Sequence, residues 1–191
     1  MDVAAPIAAV LAAVGLAGAA GLNAWLPLLL GAVLERLDVV ELGDPFGSLS
    51  GNAGIVVLTV IFLADFVGDK IPGVDHVLHV AGTVVHPVAG AVLFVGGTGV
   101  DTSIPAVVAM VLGAATAETL HAGRAALRPV STTTTAGVGN PFLSLAEDGA
   151  SLLLTVLAFA VPVLAVLVVL ALLAAVLSRG RRRTRRTRRP G

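Results

Sequence analysis

Residues 62–90, FLADFVGDKIPGVDHVLHVAGTVVHPVAG, put three Asp, the chain's only Lys and three of its four His into an otherwise apolar run. Read as a helix, the first part places Asp65 and Asp69 four residues apart on one face, with Lys70 beside them. At KIPG that helix must stop, because Pro72 lacks an amide donor and holds Ile71 out of the helical region. A further helix resumes near Val74 and carries Asp75, His76, His79 and His86, with Pro87 expected to break or bend it. The segment therefore predicts a helix break at which Asp69, Lys70 and Asp75 face one another.

The rest of the chain says what surrounds such helices. Of 191 residues 57% are hydrophobic and 13% charged, against about a quarter charged in an ordinary soluble domain. The runs 3–34, 54–64 and 149–178 carry no formal charge, and the outer two exceed the roughly 20 residues that cross a bilayer core. The surroundings are lipid, and the fold class is all-α, a polytopic helical membrane protein of four to six spans. The N-terminal MDVAAPIAAVLAAVG has Asp2 where a secretory signal would have positive charge, so it reads as part of the first helix, retained in the mature protein. Cysteine is absent, which excludes disulfides, thiolate catalysis and Cys-ligated metals.

Eight of the twelve basic residues lie in RGRRRTRRTRRPG, 179–191. Basic residues beside a span favour the cytoplasmic side, so the tail predicts a cytoplasmic C-terminus. Abutting a membrane helix, it reads as a topology signal in contact with anionic lipid rather than as a nucleic-acid site. The expected division is one membrane-embedded helical domain, 1–178, and a disordered Arg-rich tail, 179–191.

Along the chain, 3–34 is interrupted by GLNAWLP (21–27), which predicts a kinked first helix or a helix followed by a half-helix, with polar Asn23 at the break. Gly15, Gly18, Ala19 and Gly21 would let another helix approach closely. Residues 35–50, ending in GDPFGS, read as an exposed loop. A further helix over about 104–127 carries Glu118, His121, Arg124 and Arg128 on one stripe. STTTTAGVGNPFLSLAEDG (131–149), with Asn140, Glu147 and Asp148, reads as a re-entrant or half-buried segment. The last helix is expected from about Gly149, bent at Pro162, to Ser178. GAAGLNAWLP against GAATAETLHA suggests an internal duplication, the pattern of transporter halves, although so short a match arises by chance at least as readily.

An ionisable group at the bilayer centre costs about 3 kcal/mol even on lenient scales, so such groups face each other or water. The candidate site residues are Asn23, Asp65, Asp69, Lys70, Asp75, His76, His79, His86, Glu118, His121, Arg124, Arg128, Asn140, Glu147 and Asp148. Carboxylates and His suit proton or ion coupling. Lys70, Arg124 and Arg128 suit an anionic or lipid-phosphate substrate. Glu118 and His121 form a Glu-x-x-His pair, and Asp75 and His79 lie four apart, a weak metal-ligand pattern because a di-metal bundle needs a second such pair. A purely structural set of interfacial charges is the bland alternative. The function classes are a small transporter or permeation protein, a membrane-embedded metal-dependent enzyme and a non-catalytic scaffold; the residues leave the cofactor unknown, and an oligomer is compatible. The simplest packing brings Asp65 or Asp69 against Arg124 or Arg128.

AGLNAWLPLLLGAVLERL, DFVGDKIPGVDHVLH, VVHPVAGAV, HAGRAALRP and NPFLSLAEDG together resemble the small bacterial integral membrane proteins of domain of unknown function four-one-two-six, over about 16–161. The resemblance implies a polytopic protein of the bacterial cytoplasmic membrane and brings no activity with it. Where such a family shows Tyr after GLNA, this chain has Trp25.

Overall fold

Lipid offers no hydrogen-bond partner, so each spanning segment must satisfy its backbone within itself, as a helix does. The computed structural model describes residues 4–71, 74–99, 102–126 and 138–187, with Thr133 and Thr135. Arg128, Pro72, Gly73 and most of the Thr run lie outside the described residues, as do the side chains of Asp75, His76 and the Arg-rich tail. Among the described residues the chain is all α, without strands. Its helices are α1 (Ala4–Leu22), α2 (Trp25–Arg36), α3 (Phe46–Leu49), α4 (Asn52–Gly68), α5 (Val74–Thr98), α6 (Ala106–Ala125), α7 (Asn140–Ala160) and α8 (Pro162–Thr187). Four are long and apolar enough to cross a membrane: α1, the part Val77–Thr98 of α5, α6 and α7, while α4 and Pro162–Ser178 of α8 are shorter apolar helices.

The fold is organised around α1, which touches α2, α5, α6, α7 and α8. Every residue from Gly15 to Gly21 is buried, and all but Leu16 are Gly or Ala. Between helices in lipid there is no hydrophobic driving force, so close backbone approach and dispersion contacts hold them together. Gly15 lies against Ala158 of α7 and Ala165 of α8, and Gly18 against Leu154 and Val169. As α1 advances, the register therefore rises along α8 and falls along α7. Gly97 of α5 meets Ala13 and His86 meets Ala20, so α5 also opposes α1, while α6 opposes α5 through Gly90–Gly113 and Gly82–His121 contacts. The direction of α1 is thus shared by α6 and α8 and reversed in α5 and α7.

The first run resolves, as expected, into a helix and a half-helix with the break at Asn23, and Pro27 is buried within α2. Three other expectations change. Segment 35–50 is not simply an exposed loop: Phe46 is fully buried, its ring seated against Gly31 of α2 and Gly96 of α5, and Gly43 N–H donates to Gly96 O at 2.7 Å. Helix α5 runs through Pro87, as membrane helices can when neighbouring groups satisfy the freed carbonyl. NPFLSLAEDG is not re-entrant but forms the first half of α7, with Pro141 in its first turn, where a missing N–H costs nothing. The break instead precedes Pro162, at extended Val161 (φ −143°, ψ 72°).

The α5–α6 contact gives a direct test. A side-chain carbon on Gly113 would strike the Gly90 carbonyl oxygen and the Phe94 Cβ, whereas one on Gly149 meets nothing within 4 Å. Gly113→Ala should lower stability by about 1–3 kcal/mol, the usual penalty of overpacking. Gly149→Ala should leave it unchanged or raise it by up to about 1 kcal/mol through helix propensity. Unfolding in detergent distinguishes the two.

Candidate functional site

Breaking α1 at Asn23 strands backbone groups on both sides of the break, and the site is built from the side chains that satisfy them. Asn23 Oδ1 accepts the N–H of Trp25 and of Leu26, both at 3.0 Å, which serves the start of α2. Its Nδ2 donates to Asp148 Oδ1 of α7 at 2.8 Å. On the α1 side, Ala19 O accepts Ser151 Oγ at 3.0 Å, Ala20 O meets His86 Nδ1, and Leu22 O accepts Arg124 Nη1 at 2.7 Å.

Arg124, at the end of α6, is the hub. Its side chain is 9% exposed and pairs with Glu147 of α7 at 3.2 Å. Its Nη2 lies 3.0 Å from His86 Nε2 and 3.4 Å from His121 Nδ1. A guanidinium only donates, so both ring nitrogens accept. Since Ala20 O can only accept, His86 carries its hydrogen on Nδ1 and is neutral. The rings of His86 and His121 stack with centroids 4.2 Å apart, and His79 lies 5.2 Å beyond His121.

A second pair closes the network at the end of α4. Lys70 Nζ donates to Phe66 O at 2.6 Å, sits 3.3 Å above the centre of the Phe66 ring, and approaches Asp148 Oδ2 at 3.7 Å. Asp69 Oδ2 accepts Ser144 Oγ of α7 at 3.2 Å. The expected pairing is therefore exchanged: Lys70 reaches across to Asp148 rather than turning to Asp69, and Arg124 takes Glu147 rather than Asp65 or Asp69.

A cleft of about 360 Å³ borders the network between α4 and the α1–α2 break, α5 and α6. Asp65 and Asp69 reach it from α4, Trp25 from the start of α2, His86 from α5 and Arg124 from α6; the remaining wall is aliphatic or Gly. Of the sequence candidates, Asn23, Asp65, Asp69, Lys70, His79, His86, His121, Arg124, Glu147 and Asp148 thus converge. Asn140 stands at the start of α7. Arg128 and the side chains of Asp75 and His76 lie outside the described residues. Glu118 keeps a buried carboxylate oxygen without a hydrogen-bond partner among the described residues. No group of three or more His, Asp or Glu among those residues is arranged to hold a metal ion.

Sequence reasoning missed Ser144, Ser151 and Trp25. The first two were findable: Ser144, Asp148, Ser151 and Thr155 recur at spacings of four, three and four, and all are buried. Starting the last helix at Gly149 cut that stripe in half.

A family model described as Domain of unknown function (DUF4126) matches residues 10–181. No curated protein and no solved structure matches the chain.

The two ion pairs differ in burial, and their loss should differ accordingly. Arg124→Met removes the cation paired with Glu147, whose side chain is 9% exposed, and should cost about 3–5 kcal/mol. Adding Glu147→Gln should recover about 0.5–3 kcal/mol of that loss, the coupling of contacting charges. Lys70, 24% exposed at a 3.7 Å separation, should cost less than about 2 kcal/mol as Lys70→Met. Chemical unfolding of the detergent-solubilised variants measures the order.

Proposed function

The chain belongs to the DUF4126 family, and we propose that it is a small membrane transport or permeation protein that holds a polar solute in the cleft beside the α1–α2 break. One observation carries the reading: a buried ion-pair network borders a cleft, one wall of which is α4, a short apolar helix that buries few of its own residues. In α4 only Leu58 and Gly68 are buried, while Val56, Val57, Val60, Leu63 and Val67 form an outward stripe suited to lipid. Its start is tethered through α3, where Phe46 is seated between α2 and α5. Its end is latched to α7 by Lys70–Asp148 and Ser144–Asp69. Releasing the latch lets α4 swing about its tethered end and expose the cleft, the gating motion that transport requires.

The network lies at the end of α1 that faces the Arg-rich tail, because α1 and α8 run in the same direction. With the tail on the cytoplasmic side of a bacterial inner membrane, and against anionic lipid, the cleft sits in the cytoplasmic leaflet. An anionic or lipid-phosphate substrate has less support: Lys70 and Arg124 each already hold a carboxylate, and Arg128 lies outside the described residues.

The chain lacks cysteine, so single Cys substitutions report the cleft directly. Ala64→Cys and Ala81→Cys, both on the cleft wall, should react with a membrane-impermeant maleimide in vesicles of at least one orientation. Val84→Cys, 65% exposed and off the cleft, should face lipid and stay inert. Adding Lys70→Met should speed labelling of Ala64→Cys severalfold by releasing α4. Cleft positions as inert as Val84→Cys in both orientations would instead indicate a sealed scaffold.

A further inference from the structure

Polar residues of membrane helices face the bundle interior, so the span most exposed to lipid is expected to be the most apolar. Helix α6 reverses this: of the four long spans it is the least hydropathic and also the least buried within the chain. Its inward side carries Ala109, Gly113, Ala117, Leu120 and His121. The outward side runs Val111, Ala115, Glu118, Ala122 and Ala125, at alternating spacings of four and three that place them on one stripe. Val111, Ala115 and Ala122 are exposed, and Glu118 and Ala125 are half-buried.

Glu118 is the costly member of that stripe. It lies within the span Ala106–Ala125, and one carboxylate oxygen is buried with no hydrogen-bond partner among the described residues. The hydroxyls nearby make no such demand, since Thr116 donates to Leu112 O at 2.8 Å and Thr119 to Ala115 O at 2.7 Å. Lipid offers nothing to the part of the carboxyl group that reaches the surface. Ala115 and Ala122, one turn to either side, are small enough for another helix backbone to come close. The four-and-three spacing is also the seam of a left-handed helix pair, and in a parallel pair each seam residue meets its own counterpart. Two copies inserted in the same direction present α6 in parallel. A carboxyl group carrying its proton has one donor and spare acceptor capacity, so Glu118 is complementary to itself. Lys70 and Arg124 are held by acids of their own chain, which leaves the contact between copies carboxyl to carboxyl.

We infer that two copies of the chain pair through the outward stripe of α6, the Glu118 carboxyl groups bonding to each other at a twofold axis normal to the membrane. Ala115 and Ala122 meet their counterparts on either side of that contact, and Val111 continues the seam beyond Ala115. The interface is isologous, as closed dimers are. It lies on the side of α6 turned away from Ala117 and Leu120, so the pairing is independent of whether the cleft holds a solute.

The chain has no cysteine, so single Cys substitutions map the seam in native membranes. A disulfide needs Cα atoms within about 7 Å, which a seam of small residues permits. Under copper-phenanthroline oxidation, Ala115→Cys and Ala122→Cys should form dimers of the chain about 5-fold or more above two exposed controls off the stripe, Leu112→Cys on α6 and Val60→Cys on α4. On the Ala122→Cys background, Glu118→Gln should keep the cross-link, because an amide also donates and accepts. Glu118→Leu, which suits lipid better than the native residue, should lower it about 3-fold or more. If the Cys variants do not accumulate, light scattering of the unmodified chain in detergent decides: a mass of two chains supports the pairing and a mass of one overturns it. Equal cross-linking on and off the stripe, products that contain another protein in place of a second copy, or a yield unchanged by Glu118→Leu would also overturn it.

Discussion

A guanidinium within a membrane bundle must be surrounded by acceptors or it will not stay there, and meeting that demand at Arg124 draws four helices to one point. Leu22 O comes from α1, His86 from α5, His121 from α6 itself and Glu147 from α7. Because Leu22 O is available only where α1 ends, the position of Arg124 and the break at Asn23 are mutually dependent. An unbroken helix would commit that carbonyl to its own i+4 N–H. Two otherwise costly features, a broken helix and a buried cation, offset each other.

This dependence explains why the site is polar but compact. The stranded carbonyls of Ala20 and Leu22, and that of Ala19, which also accepts the Asn23 N–H, receive donors from three different helices, and Asn23 bridges the start of α2 to Asp148. Much of the network is therefore structural, in accord with the bland expectation that some of these groups cap helices. The exceptions are the side chains turned to the cleft, Asp65 and Asp69 above all, which serve none of the stranded groups at the break.

The sequence disclosed these features unevenly, for physical reasons. Membrane class, helical fold and the breaks at Asn23 and after Gly68 follow from charge-free length and from Pro and Gly, which are local signals. Ten ionisable or polar candidates were recognisable because lipid makes each of them costly. Partner choice was not, since Asp65, Asp69, Glu147 and Asp148 are equivalent to Arg124 and Lys70 until helix register is known. The register error on α7 came from reading 131–149 as one re-entrant segment on its polarity, when its second half is the start of the helix. Pro87 failed in the other direction, because an interior Pro held between packed helices need not end its own. Trp25 was visible as a departure within GLNAW but had no partner until the start of α2 was placed beside α4.

The contrast between α1 and α4 carries the functional reading furthest. From Gly15 to Gly21 helix α1 is buried throughout, almost entirely through small residues, so any displacement loses dispersion contacts along that stretch. Helix α4 exposes much of its surface and packs mainly against α2. Local opening free energy tracks buried contact and interhelical bonding, and in the proposed function α4 is the element whose displacement opens the cleft. Its end is joined to α7 by a partly exposed ion pair at 3.7 Å and a hydroxyl–carboxylate bond at 3.2 Å, neither of which involves Arg124. Asp65 and Asp69 line the cleft from α4 while Arg124 lines it from α6, so a displacement of α4 would change the spacing between the acidic and basic sides of the network.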